Sequence, residues 1–142
     1  MRTLGKLVLG VAGSLVAASP SLAHHEWPVD QTKRITVQGV VTAFTWANPH
    51  VMIALDVAAN GTIEKWTIGG SSPQFMTTCG WNRKSLKQGD VITVRGYRFK
   101  DGSNAARMHM TVMPNGQELF YGAPPRHAAQ CVPLAGDTPL SD

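Results

Sequence analysis

The sequence predicts an all-β fold, a small closed or partly open antiparallel barrel of five or six strands with one short helix between the third and fourth. Three observations predict it. Stretches rich in Val, Ile, Thr and aromatic residues recur along the chain between clusters of Gly, Pro, Asn and Asp. One of them, His50 to Val57, alternates strictly, with Val51, Ile53, Leu55 and Val57 on one face and His50, Met52, Ala54 and Asp56 on the other. The strand pattern is broken once by a helix start, Ser71-Ser72-Pro73, and then resumes.

Each element follows from its residues. Arg34 to Trp46 reads as a long first strand with a bend or bulge at Gly39, and Ala47-Asn48-Pro49 ends it. Asn60-Gly61 is a two-residue hairpin turn, because both positions tolerate positive φ, and Thr62 to Ile68 returns as the third strand. Ser72 as N-cap, Pro73 at the first helical position and Gly80 as the stop delimit a short helix over Pro73 to Cys79. Trp81 to Lys87 reads as a further helical turn. Val91 to Phe99 and Ala105 to Met113 are the fourth and fifth strands, joined at Asp101-Gly102. A short sixth lies around Leu119-Phe120, after Pro114-Asn115-Gly116. Three strands, a helix and two or three more strands is the order of an OB-type Greek-key barrel; a β-sandwich would want more strands and no helix there.

The ends of the chain differ in composition. Arg2 and Lys6 precede an apolar run from Leu7 to Ala18, and Ser21-Leu22-Ala23 is a small-x-small cleavage site. An apolar run of about a dozen residues is shorter than the ~20 needed to span a bilayer, so residues 1–23 read as a removable export signal. The protein is then periplasmic or secreted, with no membrane span after cleavage. Residues 24–33 read as an extended arm, 34–121 as the barrel, and 122–142 as a Pro-rich tail. The formal charge of +4 falls by the two charges of Arg2 and Lys6, and the densest basic stretch left is Arg83-Lys84 with Lys87, a solvated helix face. Nucleic acid, which needs a concentrated basic stripe, is therefore not an expected partner.

Cys79 and Cys131 are the only cysteines. An even pair in an exported chain predicts a disulfide. A loop of this size is stabilised by at most about 4 kcal/mol in the chain-entropy account. The bond would tie the tail to the helix region.

Catalytic signatures are scarce: there is no GxSxG, P-loop, HExxH or CxxCH string. His50 and Asp56 are the one acid–base pair on a strand face, and their spacing of about 20 Å prevents direct coupling. Gly69 and Gly70 are accounted for by a turn and a cap, without a phosphate. An enzyme is not expected.

Trp46-Ala47-Asn48-Pro49-His50 is the most distinctive string. With it occur Ala23-His24-His25, Gly69 to Ser72, Gly80 to Asp90 and Lys100 to Ser103 in fixed order. In these strings the chain resembles a family of small exported bacterial domains of unknown function, over about residues 23–121. The resemblance implies a periplasmic barrel and no inherited activity. Cys79 and Cys131 depart from the family pattern.

The sharpest chemistry is metal binding. His50 and Met52, two apart on a strand, share a face about 6.6–6.8 Å apart. Imidazole with thioether is a soft pair suited to Cu(I), and Trp46 is the candidate shield. In architecture and ligand types the chain is similar to the periplasmic OB-barrel copper/silver chaperones, whose sequence motif it lacks. Cleavage after Ala23 would leave His24 with a free amine beside His25, a Cu(II) chelate that His50 could complete. Met108 and Met110 alternate away from His109 and, with Val112, read as core. Copper binding by His50, Met52, His24 and His25 is thus the expected specific function. The alternative is a non-catalytic interaction module in which Trp27, Trp46, Trp66 or Trp81 docks an envelope protein, peptide or glycan.

Overall fold

The computed structural model describes residues 27–121 and residue 131. The elements are β1 (Val29–Thr45), β2 (Met52–Ala59), β3 (Thr62–Gly69), α1 (Pro73–Thr78), β4 (Val91–Phe99), β5 (Ala105–Val112) and β6 (Glu118–Phe120). The strands pair in the order β3-β2-β1-β4-β5-β6, and β3 also pairs with β5. That extra pairing is parallel and spans three residue pairs, Thr67 with Ala105 to Gly69 with Arg107. The hydrogen-bonded path is therefore a ring, β1-β2-β3-β5-β4, with β6 appended to β5. The expected all-β, OB-like architecture with its inter-strand helix is the one observed.

The alternation in β2 sets the inside of this ring. Val51, Ile53 and Leu55 are buried, Val57 is partly buried against the same cluster, and Met52, Ala54 and Asp56 face the other way. Ile68, Ile92, Val94 and Met108 meet them from the facing strands, and α1 contributes Met76. Each fully buried large side chain of this kind is stabilised by about 1.5–3 kcal/mol relative to exposure. Trp81, 1% exposed, closes one end, its indole N–H donating to the Phe120 carbonyl at 2.7 Å.

Local chemistry accounts for the turns. Asn60 and Gly61 both take positive φ, as the hairpin requires. Ser72 stands at the N-cap of α1 in an extended conformation without a side-chain cap bond, Pro73 follows, and Gly80 takes φ +87° just beyond the C-cap Cys79.

Several details depart from the sequence reading. β1 begins at Val29, so the second half of the expected arm is strand, paired through Val29 with Phe99. β2 begins at Met52, two residues after His50. The irregularities in β1 fall between Val29 and Arg34 and between Val41 and Ala43, and not at Gly39. Gly39 serves a close approach instead, since a Cβ there would stand 2.8 Å from the Asp56 carbonyl oxygen. Trp81 to Lys87 is not helical. Asn82 and Ser85 take the backbone bonds a helix would use: Asn82 N donates to Ser85 Oγ and Lys84 N to Asn82 Oδ1, both at 2.8 Å. In β5 the register slips opposite Arg95 and Gly96. Met108 and Met110 are buried as expected, but Thr111 then takes the inward place opposite Val94 and Val112 is only half-buried.

Cys79 and Cys131 are joined, with Cα atoms 5.4 Å apart. The bond ties residue 131 to the C-terminal end of α1, where the Cys131 sulfur also lies 3.7 Å from the Thr78 carbonyl oxygen. No helix among the described residues is long and apolar enough to cross a membrane.

Candidate functional site

His50 follows a cis Asn48–Pro49 peptide at the corner between β1 and β2. The backbone beyond it is pinned, Val51 N donating to the Ser71 carbonyl at 2.9 Å and Gly70 N to the Val51 carbonyl at 2.7 Å. Val51 points into the core, so strand alternation turns His50 and Met52 outward, and both are half-buried.

The indole against His50 is that of Trp27, with ring centroids 4.6 Å apart and planes tilted by 51°. Trp27 also packs on Phe99 at 5.7 Å. Gly69 makes room for it: a Cβ at Gly69 would lie 2.4–2.9 Å from three atoms of the Trp27 ring. Trp46, the expected shield, belongs to a different cluster. It packs on Phe44 at 5.9 Å against the core, and its carbonyl accepts from Arg83 Nη1 at 3.3 Å. Of the other tryptophans, Trp66 donates to Glu64 Oε2 at 3.0 Å and lies under the Arg98 guanidinium. Asp56 is ion-paired with Lys65 at 2.7 Å.

The structure therefore brings His50 next to an indole, but the indole is contributed by the chain N-terminal to β1. Met52 follows on the same outward face. His24 and His25 lie outside the described residues, and among the described residues no three His, Cys, Asp or Glu side chains cluster in a way that could hold a metal. The meeting of Trp27, Phe99 and Gly69 was not legible in the sequence, because they lie about 30 to 70 residues apart with no periodicity to signal it. The one local signal was the Gly69-Gly70 pair, which also fits an ordinary turn.

On the same outer face, Arg34 and Arg107 lie on either side of Tyr97 in the register, and Arg95 stands two residues from Tyr97 on β4. Directly opposed residues share a face, so this surface is basic and aromatic. The Arg107 guanidinium carbon lies 5.2 Å from the Tyr97 ring centre and 5.5 Å from that of Tyr121. Beyond the bulge, His109 meets Phe120 edge-on at 6.1 Å.

Comparison with solved structures finds a likeness to the crystal structure of TiaS in complex with an isoleucine tRNA and ATP, at 15% identity and a TM-score of 0.43. It covers 64% of this chain and spans 20% of that one. No curated protein sequence matches. The family model described as a family of unknown function (DUF6152) matches residues 13–108, more than half of the chain, and the protein belongs to that family.

Proposed function

We propose that this is an exported, non-enzymatic copper-binding protein whose mature amino terminus and His50 hold the ion together. The observation that carries the reading is the Trp27–His50 ring contact at 4.6 Å. Trp27 is two residues from His25 and three from His24. An extended chain covers at most about 3.3–3.6 Å per residue, so the backbone of both histidines stays within roughly 7–11 Å of an anchor that touches His50. The α-amine and imidazole of His24, the imidazole of His25 and that of His50 form a nitrogen set suited to Cu(II). Met52, outward on the same face, adds a thioether for Cu(I). Trp27 takes the shielding role that the sequence assigned to Trp46. Export supports the reading twice over: cleavage after Ala23 exposes the amine, and an oxidising compartment suits the Cys79–Cys131 bond.

Cu(II) titration of protein beginning at His24 tests this. One equivalent should bind, with visible absorption typical of nitrogen ligation. His50→Ala should weaken binding by about tenfold or more, a loss of about 1.4 kcal/mol, and one extra residue before His24 should do the same. Equal uptake by processed protein, His50→Ala and the extended form would overturn the reading.

A second reading, an interaction module, is favoured by one observation. Val40, Ile63 and Val91 are the exposed large hydrophobics among the described residues, and all three line one groove of about 400 Å³. The tryptophans themselves are packed against other side chains of the chain.

A further inference from the structure

We infer that the outer face of β4 and β5 binds a carboxylate, with the Arg107 guanidinium as its recognition group. Arg107 is half-buried between the Tyr97 and Tyr121 rings. Its Nε is closed off from solvent and has no hydrogen-bond partner, and no carboxylate among the described residues pairs with the group. The acids in ion pairs or hydrogen bonds are committed elsewhere: Asp30 to Lys33, Asp56 to Lys65, Asp90 to Lys87, Asp101 to Ser103, and Glu64 to Trp66 and Asn104. A cation partly withdrawn from water without a counter-ion is under-compensated by the protein.

The geometry selects the compensating group. With two rings against the guanidinium and Nε closed off, the Nη end is the approach left to a ligand, and its paired N–H groups match the planar fork of a carboxylate. A second buried donor stands at the neighbouring position. Trp27 Nε1 has no acceptor, and its ring covers Gly69, the residue paired with Arg107 across β3 and β5. Buried polar groups are nearly always satisfied, so the orphaned N–H donors of Arg107 and Trp27 mark an acceptor that completes them. None of the site's groups is a proposed metal ligand, although Trp27 also packs against His50.

The test uses processed, disulfide-bonded protein at low salt, followed by NMR amide and indole shifts. Its probes are succinate, the tripeptide Gly-Gly-Ala as free acid and as C-terminal amide, and inorganic phosphate. At least one carboxylate probe should bind saturably, moving the Trp27 indole and Arg107 Nε resonances, while the amide form leaves them in place. Succinate binding more tightly assigns the site to small acids; the free-acid peptide binding more tightly assigns it to peptide termini. Arg107→Gln should weaken binding by about tenfold or more, the loss of one charge-assisted pair. Tyr121→Leu, a change beyond the last strand, should weaken it several-fold without disturbing the fold. Absence of saturable binding, equal binding by Arg107→Gln and Tyr121→Leu, or tighter binding of phosphate than of every carboxylate would overturn the proposal.

Discussion

Trp81 and Trp27 are anchored in opposite ways. Trp81 is 1% exposed, packs at 6.3 Å on Phe44, and satisfies its N–H on the Phe120 carbonyl. Trp27 lies on the outside of the ring, held by His50, Phe99 and the missing side chain of Gly69, with its N–H buried and unanswered. One indole completes the core and leaves nothing over. The other rests between a histidine and a phenylalanine and leaves a donor available. Chemistry is expected where polar groups are held in place but not consumed, and that is the Trp27 side.

The contrast can be broken by mutation. Trp81→Ala should carry the largest cost, about 3–5 kcal/mol, because a large aromatic is removed from a site that cannot collapse. Urea denaturation with the disulfide intact measures it, and a loss below about 1 kcal/mol, on the scale of surface changes, would show that Trp81 is no core residue. Gly69→Ala should cost less, about 1–3 kcal/mol, because the new methyl group collides with a ring that can leave its seat. The Trp27 indole resonance should shift while those of Trp66 and Trp81 stay, and copper uptake should weaken with it. Retention of the Trp27 resonance would mean that Gly69 is not its seat.

The smallest effect belongs to the loop after Trp81. The Lys87 ammonium, and then the Lys87 backbone N–H, hold the Asp90 carboxyl below its ordinary value of 3.8. A depressed folded-state value stabilises the fold above the ordinary value and ceases to do so as pH falls through and below it. Asp90→Asn should therefore be slightly less stable than the parent at neutral pH, with the gap closing below about pH 4. A gap that persists in acid would assign the effect to shape and not to charge.

Much of the fold could be read from local pattern. The alternation from Val51 to Leu55, the Asn60-Gly61 turn and the Pro73 helix start each involve neighbours in sequence, and each appears where expected. Trp81–Lys87 failed because its charged residues imitate a helix face while Asn82 and Ser85 capture the backbone. The β5 slip failed because alternation assumes an unbroken ladder. In the candidate site, the outward turn of His50 and Met52 was legible from the alternation, although β2 begins only at Met52. Trp27, Gly69, Arg107 and Tyr121 were not, since their meeting depends on how the ring closes.

That closure has a consequence for how copies of the chain meet one another. Without the three pairs from Thr67 to Gly69, the strand order would be an open sheet with β3 along one border. An open border is a template on which a second chain can add a strand. The β5 pairing covers only the last third of β3, and among the described residues no strand pairs with Thr62 to Trp66 on that side. Ile63, 60% exposed, lies in this remainder, and so do Glu64 and Lys65. Charge at an uncovered border is a common deterrent to strand addition, so closure of the ring and the charged residues of β3 both work against pairing between copies.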